Sequence, residues 1–306
     1  MNISGEVANL NVTSFIGNTP LFELKNICRN KNIHIYAKGE FMNISGSVKD
    51  RASFAMISDG IRRGLLTKDK IIIDATSGNT GIAYSMTGAV LGYHVKLVIP
   101  DNVTPERKKI MKAYGAEIIE TNSLEGIDGA YYKCRRIVAE NPEKYFYPDQ
   151  YSNVQNWKAH YYGTAEEILR QTENRITHFV AGTGTAGTFM GCTKKFKKVK
   201  PQIKCYNMTP DSPFHGIEGV KHCSALLKNG FFDETISDGK IEISTETAYE
   251  TARLLARKEG LFVGISSGAN VAAVLKIAET APDNSVIVTV LCDGGYRYLS
   301  GTVWED

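Results

Sequence analysis

The sequence predicts an α/β protein built as two lobes, and three observations predict it. From Lys70 onward short β-branched runs alternate with amphipathic stretches, the pattern of strands joined by crossover helices in a parallel sheet. Glycine-rich turns sit where strands run into helices, at Ser77 to Gly81, Gly182 to Thr188 and Gly264 to Gly268. A length of 306 residues with 42% hydrophobic side chains falls between one large domain and two intertwined smaller ones.

The elements follow from local pattern. Ala52 to Gly64 reads as a helix behind the Gly46-Ser47 turn, and the β-branched run Ile71 to Ile73 as a strand. Thr80 to Leu91 is an amphipathic helix opened by a glycine turn, Val95 to Ile99 a strand, Pro105 to Tyr114 a helix and Glu117 to Ile119 a strand. A second series places a helix from Trp157 to about Gln171, a strand at His178 to Ala181, a helix after Gly187 and a strand at Ile203 to Met208. Helices at Thr245 to Glu259 and Ala269 to Thr280 and a strand at Val286 to Leu291 close the chain, with Pro148 to Asn156 as the crossing between lobes. Ligands of open α/β sheets collect at the carboxyl ends of the strands, so the three glycine turns are expected to converge on one crevice.

Composition narrows the function. Lys plus Arg number 36 against 33 Asp plus Glu, and the run Lys194, Lys195, Lys197, Lys198, Lys200 reads as the solvated face of a helix rather than a nucleic-acid site. The cysteines Cys28, Cys134, Cys192, Cys205, Cys223 and Cys292 show no CxxC spacing, and the six histidines show no ligand spacing with them, so no metal site is expected and the histidines read as structural or surface residues. No run approaches a membrane span and Met1 to Asn11 does not resemble a signal peptide; the expected location is the cytoplasm.

Two motifs carry chemistry. Gly182-Thr183-Gly184-Thr185-Ala186-Gly187-Thr188 follows a strand and opens a helix, so backbone amides and the helix dipole suit a phosphate. The same residues satisfy GxGxxG, which leaves open a dinucleotide site with Asp211 on the ribose, and a plain structural turn. Gly46-Ser47-Val48-Lys49-Asp50-Arg51 places a lysine at a helix N-terminus, against the dipole. A desolvated lysine there is a nucleophile or base; a surface lysine paired with Asp50 is the plainer alternative.

Gly17-Asn18-Thr19-Pro20-Leu21, Gly46 to Arg51, Thr76-Ser77-Gly78-Asn79-Thr80-Gly81, Gly184 to Thr188 and Gly264-Ile265-Ser266-Ser267-Gly268 occur in the order and spacing of the cysteine synthase family. The chain thereby resembles the fold-type II pyridoxal-phosphate enzymes, from about Val12 to about Thr302. Pro100-Asp101-Asn102 with Glu106-Arg107, Ala113 to Glu117, and Cys292-Asp293 with Arg297 to Ser300 are most similar to the branch called cysteine synthase B.

The resemblance implies a fold like that of the tryptophan synthase β chain, with a smaller mobile substrate-gripping domain at 44–150 and a larger domain at 1–43 plus 151–306 that binds the cofactor phosphate. It implies that Lys49 carries pyridoxal 5'-phosphate as a Schiff base and moves the Cα proton. Asn79 then faces the cofactor's ring oxygen, Ser266 its ring nitrogen, and Gly184, Thr185, Ala186, Gly187 and Thr188 its phosphate. Thr76, Ser77, Asn79 and Thr80 with Gln150 grip the substrate carboxylate. The implied reaction is β-replacement through an α-aminoacrylate, making L-cysteine from O-acetyl-L-serine and sulfide. Relatives are usually homodimers, and some bind serine acetyltransferase in the active-site cleft; a non-catalytic partner of that enzyme is an alternative of another class.

The sequence departs from the family pattern in three places. Ile44 follows Asn43 where relatives have proline, and Ala186 stands where many have glycine. After His215 to Val220 the chain continues Lys221-His222-Cys223-Ser224 and then Gly230-Phe231-Phe232-Asp233-Glu234 instead of a glycine and an Ile-Pro pair. Asp233 near the β-carbon would take a proton from water and favour the opposite reaction, L-cysteine plus water giving L-serine and hydrogen sulfide. Asp233 as a solvated loop residue is the plainer alternative.

Overall fold

The computed structural model describes residues 11–76, 78–222 and 230–305. In chain order the strands are β1 (Leu21–Glu23), β2 (His34–Gly39), β3 (Ile71–Ala75), β4 (Val95–Pro100), β5 (Glu117–Thr121), β6 (Tyr145–Phe146), β7 (His178–Gly182), β8 (Lys204–Pro210), β9 (Gly239–Ile243) and β10 (Val286–Leu291). They form two sheets. The larger has the order β1-β2-β10-β7-β8-β9, parallel except for β1 against β2, and the smaller has the order β5-β4-β3-β6, parallel throughout.

The helices are α1 (Lys49–Arg62), α2 (Asn79–Leu91), α3 (Pro105–Ala113), α4 (Gly126–Glu140), α5 (Gln155–Ala159), α6 (Ala165–Gln171), α7 (Gly187–Val199), α8 (Thr245–Glu259) and α9 (Ile265–Ala278). They cover both faces of each sheet, which is why the central strand β10 is buried at every residue and reads as an unbroken apolar run. Alternation along β10 sorts its side chains: Ile287 and Leu291 pack with Ala248, Leu255 and Val274 of α8 and α9, while Val286, Val288 and Val290 pack with Ile168 of α6 and Phe189 and Phe196 of α7. In the smaller sheet Ile72 and Leu97 face Met56 and Ile82 of α1 and α2, and Ile73 and Val98 face Ala130 and Cys134 of α4.

The element boundaries differ from the sequence reading at three places. Helix α1 begins at Lys49, and α9 begins already at Ile265 behind Gly264 as N-cap. The stretch Trp157 to Gln171 is not one regular helix, because a π-turn, His160–Thr164, separates α5 from α6. Strands β1, β2, β6 and β9 and helix α4 had no expectation. Among the described residues no helix is long and apolar enough to cross a membrane.

Candidate active site

Lys49 is placed by its neighbours rather than by its own contacts. Gly46 has a φ of +86°, a left-handed turn that glycine adopts without penalty. The chain leaving that turn is stitched to the end of β10: Val48 N donates to Cys292 O at 2.8 Å and Ser47 forms a bridge with Asp293. Lys49 follows as the first residue of α1, half-buried, with its amine held below the usual lysine range by burial. Cys292 and Asp293 oppose that shift and Arg297 adds to it. A neutral amine at the carboxyl end of a parallel sheet is the form that attacks a carbonyl or accepts a proton.

Behind Lys49 lies a buried ionic cluster. Arg51 donates from Nε and Nη2 to Glu40 at 2.7 Å each, and from Nη1 and Nη2 to Glu167 at 2.7 and 2.8 Å. Lys38, fully buried on β2, reaches Glu167 at 2.7 Å and the carbonyl of Thr19 at 2.5 Å. The turn Gly17-Asn18 joins it, with Gly17 N donating to Asn43 Oδ1 at 2.8 Å and Asn18 N to Glu167 Oε1 at 3.0 Å. Asn43 in turn donates to Glu40. Asp50 accepts from the backbone and hydroxyl of Ser45, and burial pushes its carboxyl up to about 6 against those bonds.

The turn between β3 and α2 brings Thr76, Asn79 and Thr80 to the same space. Thr76 Oγ1 accepts from Gly78 N at 3.1 Å. Thr80 Oγ1 donates to Gln150 Oε1 at 2.8 Å, and Gln150 Nε2 donates to Ala75 O at 2.6 Å. Gln150 is tied to this turn a third time, through its backbone N to Asp74 Oδ2 at 3.2 Å. Asp74 is fully buried on β3; burial pushes its carboxyl up to about 7, against hydrogen bonds from Tyr84 OH, Ala75 N and Gln150 N, while Asp149 adds to the rise. An acid whose folded value lies above its unfolded 3.8 binds more protons when folded, so it costs stability as pH rises from about 4 to about 7. Asp74→Asn is therefore expected to gain stability relative to the parent over that interval. Urea unfolding of both proteins at pH 5 and 7.5 checks it, and parallel changes in both would contradict it.

Asn79 and Asp293 join the two sheets. Asn79 Nδ2 donates to Asp293 Oδ2 at 2.7 Å, Tyr298 OH donates to the same oxygen at 2.7 Å, and Arg297 donates to Asn79 Oδ1. Asn79 thus keeps one amide hydrogen to offer an acceptor. At the rim, Arg107 of α3 pairs with Glu218 of the segment after β8 and lies 4.8 Å over the Tyr298 ring.

The third turn is the cradle at Gly182 to Thr188. Helix α7 starts at Gly187, so the amides of its first turn have no partners within the helix. A Cβ on Gly184 would lie 2.1 Å from Gly219 O, and one on Gly187 1.9 Å from Asn156 Oδ1, so only bare backbone fits. Ala186 holds a φ of +69°, a conformation that favours glycine. Ser266 sits in the first turn of α9 beside Cys292, whose thiol burial pushes up to about 11. Glycine-enforced amides, two threonine hydroxyls and a desolvated amine together fit a phosphorylated aldehyde.

One cavity of about 390 Å³ gathers these groups. Lys49, Thr76, Asn79, Thr80, Gln150, Gly184, Thr185, Ala186, Gly187, Thr188 and Ser266 all line it. Ser77 lies outside the described residues. Asp233 is not brought in: it is exposed, and its Oδ1 accepts from Thr235 N at 3.0 Å and Thr235 Oγ1 at 2.6 Å, so it caps a short turn. Asp211 is also exposed and does not line the cavity, which leaves a dinucleotide without its ribose partner. The sequence reading gave no role to Asp74, Arg107, Asn156 or Glu218, and took His160 as a structural or surface residue. For Asp74 a signal existed, a carboxylate within an otherwise apolar strand; for the others the telling contacts, Arg107 with Glu218, Asn156 with Thr185 and His160 with Thr188, are between distant segments.

Comparison with known proteins agrees with this geometry. The family model of pyridoxal-phosphate-dependent enzymes matches residues 12–293. A cysteine synthase from Aquifex aeolicus is 48% identical over 96% of this chain and 92% of its own length, and cysteine synthase B of Salmonella typhimurium is 39% identical over 95% of each. The crystal structure of a hydrogen sulfide-producing enzyme from Fusobacterium nucleatum superposes with a TM-score of 0.90 at 38% identity, covering 96% of this chain and all of the other. With a family model that spans residues 12–293 and cysteine synthase relatives 48% and 39% identical over nearly the whole chain, the chain belongs to the pyridoxal-phosphate-dependent enzymes, in the cysteine synthase family.

Proposed function

We propose that this enzyme makes L-cysteine and acetate from O-acetyl-L-serine and sulfide, with Lys49 as the residue that moves the proton at Cα. The observation that carries this reading is the convergence of a desolvated amine, the turn that opens α2 and the glycine-rich turn that opens α7 on one cavity. Pyridoxal phosphate, when bound, supplies the carbonyl that takes up an amino group and the ring that accepts the electron pair released at Cα.

The chain's own residues do the rest. Thr185, Thr188 and the amides of the first turn of α7 hold the phosphate, and one hydrogen of Asn79 Nδ2 meets the ring oxygen. The substrate carboxylate sits at the N-terminus of α2, among Thr76, Ser77, Asn79 and Thr80, with Gln150 alongside. Lys49, released as a free amine, takes the Cα proton, acetate leaves Cβ, hydrosulfide adds there, and Lys49 returns the proton to Cα. Ser266 brings a neutral hydroxyl to the ring nitrogen, so negative charge is not stored at Cα and the β-substituent departs promptly. Residues 44–150 act in this scheme as a smaller mobile body that closes on 1–43 plus 151–306 when the carboxylate is gripped.

A second reading, release of sulfide from L-cysteine with water entering at Cβ, is favoured by the similarity to the hydrogen sulfide-producing enzyme. It requires the loop to carry Asp233 from its exposed position to the β-carbon. Absorbance spectra with O-acetyl-L-serine and with L-cysteine, together with assays of cysteine, serine and sulfide, separate the two. Cysteine formed from O-acetyl-L-serine and sulfide is the expected result. Serine and sulfide formed from cysteine, at a rate that Asp233→Asn lowers about 100-fold, would select the second. The family resemblance also supports a homodimer, a cytoplasmic location and capture of a serine acetyltransferase tail; sedimentation with and without a peptide of that tail tests the first and last.

A further inference from the structure

The segment that ends in the π-turn packs against the cradle helix and presents two buried polar side chains one turn apart, Asn156 (3% exposed) and His160 (1% exposed). The approach is close: a Cβ on Gly191 of α7 would lie 2.2 Å from Trp157 O and 2.7 Å from His160 Cβ. Each polar side chain meets one hydroxyl of the cradle. Asn156 Nδ2 lies 3.0 Å from Thr185 Oγ1, and His160 Nε2 lies 3.3 Å from Thr188 Oγ1. Both threonines line the cavity.

Hydrogen-bond roles at these sites follow from their other partners. Asn156 also faces the carbonyl of Gln150 at 2.6 Å, and a carbonyl only accepts, so the atom that faces it is the amide nitrogen. The second hydrogen of that nitrogen goes to Thr185 Oγ1, which leaves the threonine's own hydrogen to point elsewhere. Burial first, and then the charge of Arg51, hold His160 well below the usual histidine range, which favours the neutral ring with a single N–H. Its Nδ1 lies 2.9 Å from Thr164 Oγ1. With Thr164 donating to Nδ1, the N–H is on Nε2 and donates to Thr188 Oγ1. An anion in the cradle accepts and never donates, so it selects this tautomer.

We propose that Asn156 and His160 are positioning residues of the cofactor-phosphate site: each donates an N–H to a cradle threonine and thereby turns the hydroxyl hydrogen of Thr185 or Thr188 towards the phosphate. The inference rests on the assignment of Gly184 to Thr188 as the cradle. The bond from Asn156 to Gln150 O also ties the cradle to the carboxylate-gripping glutamine, so one amide serves both ends of the site.

The test is the affinity of the full-length apoprotein for pyridoxal phosphate, measured by equilibrium titration followed through cofactor absorbance and protein fluorescence. Asn156→Ala and Thr185→Ala are each expected to weaken binding about tenfold, as for the loss of a hydrogen bond directed at a charged group. The double variant should be no weaker than Thr185→Ala alone, because Asn156 acts through that hydroxyl. His160→Gln, whose amide nitrogen reaches the place of Nε2, should bind within about threefold of the parent, while the shorter amide of His160→Asn should lose about tenfold. Thermal melting of each apoprotein verifies folding. Additive losses in the double variant, or equal affinities for His160→Gln and His160→Asn, would overturn the inference. So would unchanged affinity in Asn156→Ala while Thr185→Ala and Thr188→Ala bind weakly, which leaves the cradle standing. Unchanged affinity in Thr185→Ala and Thr188→Ala would remove the cradle assignment itself.

Discussion

Replacement of Lys49 by alanine is expected to lower turnover at least about 1,000-fold while the protein stays folded. On the mechanism proposed above the magnitude follows from two losses at one atom: the general base for the Cα proton, worth about 100-fold to 10,000-fold, and the covalent anchor of the cofactor. The fold should survive because the start of α1 is held on either side of Lys49. Val48 is bonded to Cys292 O, Asp50 to Ser45 and Arg51 to Glu40 and Glu167, whereas burial of the Lys49 amine opposes its charge. A thermal midpoint near that of the parent, with loss of the lysine-linked absorbance band, is the expected pair of observations. Turnover within tenfold of the parent, at saturating cofactor, would remove Lys49 from the chemistry.

Much of the site was legible because the relevant residues are neighbours in sequence at strand-to-helix junctions. A glycine turn between a β-branched run and an amphipathic stretch announces the fold class, and Thr76, Asn79 and Thr80 of one such turn and Gly182, Gly184, Thr185, Ala186, Gly187 and Thr188 of another do line one cavity. The roles of Asp293 and Arg107 were not legible, since their partners Asn79 and Glu218 lie more than 100 residues away in the chain. Helix α4 was missed although its apolar residues Ala130 and Cys134 sit one turn apart, because glycines at 126 and 129 interrupt the pattern. For Asp233 a changed motif suggested chemistry, and in this structure the carboxylate caps a local turn.

The Gly17-Asn18-Thr19-Pro20-Leu21 motif carried resemblance but no role, and the ionic cluster supplies one. Its backbone amides and the Thr19 carbonyl complete a buried site in which Arg51 and Lys38 face Glu40 and Glu167, two cations against two anions. Hydrogen bonds and the charges of Arg51 and Lys38 hold the Glu167 carboxyl down at about 2 in spite of its burial. Arg51→Leu keeps most of the volume and leaves Glu40 and Glu167 buried with Lys38 as their one remaining cation. Loss of one partner from such a pair typically costs about 3–5 kcal/mol, and that is the expected fall in unfolding free energy at pH 7. The pH dependence gives the cause away. A carboxylate whose folded value is depressed contributes stability above its unfolded value of 4.5 and loses it as pH falls towards 2. The parent should therefore lose stability from about pH 5 downwards, while the variant, whose Glu167 carboxylate is held in the charged form by Lys38 alone, loses less, so that the gap narrows at pH 4. Denaturant unfolding at pH 7 and pH 4 measures it. A gap below about 1 kcal/mol, or one that is equal at both pH values, would mean that packing of the Arg51 stem and not its charge holds the start of α1, and with it Lys49, in place.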